Sequence, residues 1–137
     1  MEELTEQEKD IMDNAIFARN KRAFAPKSNY KVGVCVMTND GSYYNAGNVE
    51  FARSLNIHAE VLALADALAS GNKPEDIIAM AECFEAGEGP CGPCLQYMIE
   101  VNKDMMFYGV HPDGKLITKK KITELYPYYY RSNDAKH

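Results

Sequence analysis

Residues Val32-Gly33-Val34-Cys35-Val36-Met37 form an unbroken apolar run. A short run of this kind is what a strand covered on both faces requires, so layers must lie on either side of it. Asn39-Asp40-Gly41 follows as a hairpin signal, predicting a return strand from Ser42 to Val49. Thr5-Glu6-Gln7-Glu8 reads as a capping box opening a helix, with Ile11, Met12, Ala15, Ile16 and Arg19 at one-face spacing and Ala25-Pro26 as its stop. A second helix runs from His58 to Ala69, apolar nearly all round, with Gly71 as its C-terminal stop. Ile77 to Phe84 reads as a third strand, and Gly87-Glu88-Gly89-Pro90 leads into a further helix through Leu95, Met98 and Ile99. Met105 to Val110 and Lys115 to Thr118 are predicted strands joined by the turn His111-Pro112-Asp113-Gly114, and a last helix covers Ile122 to Tyr126. The order of elements predicts an α/β layered domain on a mixed sheet. No repeat or linker divides the 137 residues, which are expected to form one domain, 1–137.

Composition narrows the function classes. Fifteen basic against twenty acidic side chains leave a formal charge of -5, the wrong sign for neutralising phosphates on a nucleic acid or an anionic membrane. No apolar run approaches a membrane span, and the first thirty residues lack a signal-peptide core, so the expected address is cytoplasmic. In a reducing compartment Cys35, Cys83, Cys91 and Cys94 are expected as metal ligands, reactive thiols or buried apolar groups rather than disulfides. Cys35 and Cys83 fall inside strands and read as inert. Lys119-Lys120-Lys121 reads as a solvated turn, and Met98, Met105 and Met106 as core filler.

Two motifs carry chemistry, and both open predicted helices: His58-Ala59-Glu60 and Pro90-Cys91-Gly92-Pro93-Cys94. One imidazole and two thiolates are the three ligands of a catalytic zinc with a fourth position left for water. Helix N-termini favour thiolates there. Glu60, two residues beyond His58, stands where a carboxylate can move protons without binding the metal. A redox dithiol at Cys91 and Cys94 is the competing reading of the pair, but it leaves His58 and Glu60 unexplained. A closed structural knot would need Cys83 or His111 as fourth ligand.

With these residues the chain resembles the cytidine deaminase family, whose signature is His-x-Glu followed by Pro-Cys-x-x-Cys. The resemblance extends from about residue 10 to about residue 128. It is carried by Ala25 to Gly33 with Tyr30 at an aromatic position, Asn48-Val49-Glu50, Cys91-Gly92-Pro93-Cys94-Leu95-Gln96 and Leu125-Tyr126-Pro127. It implies a three-layer α/β/α fold on a mixed five-stranded sheet and one Zn²⁺ per subunit on His58, Cys91 and Cys94. The implied reaction is hydrolytic loss of ammonia from a free cytosine-type nucleoside, with Glu60 shuttling protons. Main-chain groups at Ala59 and Cys91 would hold the base edge, Tyr30 would line the ring, and Asn48 and Glu50 would read the sugar. Short members of the family are homotetramers and longer His-ligated ones dimers; length favours the tetramer here. The tyrosines Tyr126, Tyr128, Tyr129 and Tyr130 then read as reaching a neighbouring subunit's site, or else as a tail covering the sheet. The implied context is pyrimidine salvage.

Three positions depart from the family pattern: His58 stands for a frequent Cys, Leu95 for Arg, and Phe51 for Asn. An imidazole with two thiolates neutralises Zn²⁺, so Arg is less needed beside it. The departures at Phe51 and Leu95 motivate an alternative, a deaminase of a modified cytosine nucleoside or a blasticidin-type antibiotic. A non-catalytic zinc-stabilised binding module is the reading from a different class, and Glu60 argues against it.

Overall fold

The structure is a computed structural model that describes residues 3–51, 56–86, 90 and 92–128. Helix α1 spans Glu6–Arg22 behind the expected capping box: Glu8 N–H donates to the Thr5 hydroxyl at 3.1 Å, and Thr5 N–H donates to Glu8 Oε1 at 2.9 Å. Arg19, Lys21 and Arg22 sit in its last turn, where the helix dipole favours cations. Ala23 is already extended, so the helix ends ahead of Ala25-Pro26.

Strand β1 (Gly33–Thr38) is buried along its whole length, and β2 (Tyr43–Gly47) returns antiparallel to it through a turn in which Gly41 has φ 86°. Two short strands, β3 (Val49–Glu50) and β4 (Asn56–Ile57), pair with each other outside the main sheet. Helix α2 (Ala59–Ala69) has His58 as N-cap and ends before Gly71 at φ 101°. Then follow β5 (Ile77–Cys83), α3 (Gly92–Val101), β6 (Met106–Val110), β7 (Leu116–Lys121) and the single-turn α4 (Ile122–Leu125).

The main sheet has the order β2-β1-β5-β6-β7 and is antiparallel except for β5 and β6, which α3 joins as a parallel pair. On one face α1 packs Ile11, Met12 and Ala15 against Cys35, Ala81 and Cys83. On the other, Ala63 and Leu64 of α2, Met98 of α3 and Ile122 of α4 pack against Val34, Val36, Met80 and Phe107. This is the three-layer α/β/α arrangement on a mixed five-stranded sheet. Burial raises the thiols of Cys35 and Cys83, to about 12 and about 11 respectively, which keeps both unreactive.

Two elements differ from the sequence reading. The second strand was expected to run to Val49 but breaks at Asn48. Val32 N–H donates to Asn48 Oδ1 at 3.0 Å and Asn48 Nδ2 donates to the Tyr30 carbonyl at 2.9 Å, and these contacts divert the chain into the β3–β4 sheet. Lys119-Lys120-Lys121 is not a turn; it completes β7, pairing with Tyr108, Phe107 and Met106. An edge strand accommodates lysines because their charge blocks further pairing. Between Met37 and Thr38 the β1–β5 register shifts, leaving Ile78 as an extra residue. Beyond that bulge, Met80 and Phe84 face the α2–α3 layer while Ala79, Ala81 and Cys83 face α1.

Candidate active site

The N-termini of α2 and α3 meet. His58 Nδ1 lies 3.2 Å from Cys94 Sγ, and ligand atoms of His58, Glu60 and Cys94 all fall within 4.8 Å of one another. Tetrahedral zinc with ordinary bond lengths would hold a sulfur and a nitrogen about 3.5 Å apart, so the imidazole and thiolate already stand at coordinating separation. Soft sulfur with imidazole suits zinc better than magnesium or calcium. Glu60 and Cys94 are buried and His58 is exposed. Cys91, the other expected ligand, lies outside the described residues, as do Tyr129 and Tyr130. Cys83 points into the α1 layer and His111 pairs with Asp113 at 3.0 Å in its turn, so neither contributes to this cluster.

A cavity of about 350 Å³ opens onto the cluster. His58, Ala59 and Glu60 form one wall, Glu82, Phe84 and Ala86 another, and Ser28, Tyr30, Asn48 and Glu50 a third. Every expected site residue among the described ones, Cys94 apart, therefore lines one space. The third wall is a network. Glu50 Oε1 accepts from Lys27 N–H at 2.9 Å and Ser28 N–H at 3.0 Å, and its Oε2 accepts from the Ser28 hydroxyl at 2.5 Å. The Ser28 hydroxyl and these main-chain donors hold the Glu50 carboxyl below its ordinary range. Ser28 Oγ also accepts from Tyr30 N–H at 3.0 Å. Across the cavity the Tyr30 hydroxyl donates to the Ala86 carbonyl at 2.9 Å and accepts from Ala86 N–H at 3.2 Å. Behind this second wall, Arg19 of α1 bonds Glu85.

Ser28, Glu82, Phe84 and Ala86 were not singled out from the sequence. Ser28 is legible only once Glu50 is seen to need donors, and Glu82 only as a charged residue inside an apolar strand. Of the departures from the family pattern, Leu95 is half-buried against the core and Phe51 is 50% exposed, outside the cavity lining.

A layered α/β fold with soft metal donors at two adjoining helix ends, a buried carboxylate beside them and a cavity in front has the make-up of a metal-dependent hydrolase. Residues 5–110 match the model of the cytidine and deoxycytidylate deaminase zinc-binding region. A cytidine deaminase of Halalkalibacterium halodurans is 31% identical over 126 residues, covering 90% of this chain and 94% of the relative. Among solved structures, the cytidine deaminase of Burkholderia pseudomallei is similar at a TM-score of 0.83 and 34% identity, over 93% of this chain and 100% of that one. The cytidine deaminase of Mycobacterium leprae gives 0.70 and 27%, over 86% and 95%. The chain belongs to the cytidine and deoxycytidylate deaminase family.

Proposed function

We propose that this protein, as one catalytic domain over residues 1–137, deaminates a free cytosine-type nucleoside, cytidine or deoxycytidine, to the uracil nucleoside and ammonia. The observation that carries this reading is the convergence of His58, Glu60 and Cys94 within 4.8 Å at a cavity wall. The relatives from Halalkalibacterium halodurans and Burkholderia pseudomallei, both cytidine deaminases, support the substrate class.

His58, Cys91 and Cys94 would hold one zinc per subunit. Zinc, when bound, lowers the pKa of a coordinated water to about 7 and so supplies a nucleophile at neutral pH. Glu60 carries one water proton to the ring nitrogen and the other to the departing amine, while the water oxygen replaces nitrogen on the ring carbon. Ala59 N–H, at the start of α2 where helix amides lack intrahelical acceptors, and the main chain at Cys91 hold the base edge. Tyr30 lines the ring. Asn48 and Glu50 build the 27–32 segment and retain capacity for a sugar hydroxyl: a carboxylate offers about four acceptor sites, and the described donors to Glu50 number three. No Lys or Arg occurs among the described lining residues, which favours a nucleoside over its phosphate.

The protein is further read as a cytoplasmic homotetramer in pyrimidine salvage, binding neither nucleic acid nor membrane. Exposed Phe24, Tyr30, Phe51 and Ile57, on or next to the segments that build the cavity, support assembly. No helix among the described residues is long and apolar enough to cross a membrane. Ammonia release from cytidine by zinc-loaded protein tests the reaction, and Glu60→Gln should lower kcat by about 10²–10⁴ with zinc content unchanged. Full rate in that variant refutes the proton shuttle, and absence of turnover on cytidine and deoxycytidine refutes the substrate.

A further inference from the structure

Glu50 is a carboxylate with 8% exposure on β3, and its two oxygens are not equivalent. Oε1 accepts from two main-chain donors, Lys27 N–H at 2.9 Å and Ser28 N–H at 3.0 Å. A carboxylate oxygen offers two acceptor sites, so the backbone alone saturates Oε1. A sugar hydroxyl that donates to Glu50 must therefore do so at Oε2. That oxygen is held by the Ser28 hydroxyl at 2.5 Å, the length of a charge-assisted O–H···O⁻ bond. Ser28 thus occupies one acceptor site of Oε2 and fixes the direction in which the other points.

The same hydroxyl reaches toward the base end of the cavity. Ser28 Oγ accepts from Tyr30 N–H at 3.0 Å, and Asn29 between them lies in the left-handed region at φ 58°. Asn tolerates that conformation better than most side chains, and its N–H closes the segment by donating to the Ala25 carbonyl at 2.9 Å. Further on, the Tyr30 carbonyl accepts from Asn48 Nδ2, and the Tyr30 hydroxyl donates to the Ala86 carbonyl and accepts from Ala86 N–H. One hydroxyl thereby connects the sugar-facing carboxylate to the main chain that carries the ring-lining tyrosine, and Ser28, Tyr30 and Glu50 line one cavity. Ser28 is itself exposed and outside both core clusters, so core packing does not call for it. We infer that Ser28 is a positioning residue for the nucleoside: its hydroxyl aims Glu50 Oε2 at a sugar hydroxyl and keeps that carboxylate in register with Tyr30. This rests on the nucleoside reading above and deepens it by assigning sugar selectivity to a residue that acts through Glu50. With the carboxylate already oriented, the sugar bond forms without the entropic cost of ordering its acceptor.

The test is calorimetric binding of cytidine, 2′-deoxycytidine and 3′-deoxycytidine to zinc-loaded protein carrying Glu60→Gln, so that ligands persist. Deleting the hydroxyl that Glu50 reads should weaken binding by about tenfold or more, the size expected of a hydrogen bond to a charged group. Adding Ser28→Ala should reduce that ratio to within about threefold, because Oε2 then loses its fixed direction. Ser28→Thr keeps a hydroxyl at an exposed position and should retain most of the ratio. Binding is measured below the melting temperature of each variant, so a loosened fold is read separately from a misdirected site. A ratio unchanged by Ser28→Ala overturns the proposal, as does a ratio lost as fully in Ser28→Thr as in Ser28→Ala. So does an equal weakening of all three ligands, which marks a merely structural role, or failure of the protein with Ser28 intact to bind or distinguish them. Ammonia release from cytidine by the native protein is scored separately. Release with a ratio indifferent to Ser28 sinks this inference alone. A ratio that collapses in Ser28→Ala without any release sinks the deamination reading and leaves the sugar site in place.

Discussion

Glu8 is held by three donors at once: Thr5 N–H at 2.9 Å, the Tyr108 hydroxyl at 2.8 Å and Lys119 Nζ at 2.7 Å. One carboxylate thereby caps α1, closes β6 against it and anchors the edge strand β7. The hydrogen bond from Lys119 is the leading cause of a carboxyl pKa lowered to about 2 from the ordinary 4.5. A carboxylate depressed on folding stabilises the native state fully above its unfolded pKa and loses that contribution as pH falls toward its folded one. The Glu8 contribution is thus complete above about pH 5 and fades between about 4.5 and about 2. Glu8→Gln should lower stability by about 1–2 kcal/mol at pH 7, since a cap and a charged hydrogen bond weaken together. Its unfolding curve should approach the native protein's as pH drops through that window. Urea unfolding of both proteins at pH 7, 4 and 3 measures this, and a constant gap across the three would show that ionisation of Glu8 is not what stabilises the contact. Tyr108, whose hydroxyl is pushed up by burial and then by Glu8, stays neutral over the whole range.

Gly33 and Gly47 face each other in register on β1 and β2, directly beneath the end of α1. A Cβ on Gly33 would overlap the backbone nitrogen of Arg19, and one on Gly47 the backbone nitrogen of Ala23. Backbone cannot swing aside as a long side chain can, so Gly47→Ala should cost about 3 kcal/mol, the upper part of the range for overpacking. A control change at Gly114, where a Cβ meets open space but φ is 96°, should cost about 1 kcal/mol from conformation alone. Thermal melts of the two variants separate steric from conformational cost; equal shifts would mean that α1 is free to lift from the strands. The same elements show what the sequence made legible. The capping box, the β1 run and the His58–Glu60 spacing are local patterns, and each stands where expected. The break at Asn48 was invisible because it depends on Tyr30 and Val32, sixteen or more residues away. The lysine run was misread because pairing with β6, not composition, decides its backbone. In the site, His58, Glu60 and Cys94 announce themselves by chemistry, whereas Ser28, Glu82 and Ala86 enter only because the sheet and loops bring three distant segments around one cavity.

At the scale of the molecule the two faces of the sheet do different work. The α1 face is tied by the Glu8 network and by inert thiols. The opposite face carries the His58, Glu60 and Cys94 cluster and the cavity, and next to its walls lies uncovered apolar surface: Phe24 at 54%, Phe51 at 50% and Ile57 at 39% exposure. Phe24 and Phe51 lie close along one ribbon, since Phe24 N–H donates to the Asn48 carbonyl at 2.8 Å and Glu50 N–H to the Phe24 carbonyl at 2.8 Å. Neighbouring apolar side chains on a chain with net charge -5 are better explained by burial against another copy than by solvent exposure. Phe51→Glu leaves the protomer's own core untouched and should shift its stability by less than about 0.5 kcal/mol. In an assembly with closed symmetry every copy carries the new charge into the interface. Light scattering should therefore give a tetramer for the native protein and a smaller species for the variant, with KM for cytidine raised because residues 24–32 lose support beside Tyr30. A native protein that is monomeric and fully active at micromolar concentration would refute the assembly and leave the 350 Å³ cavity complete within one chain.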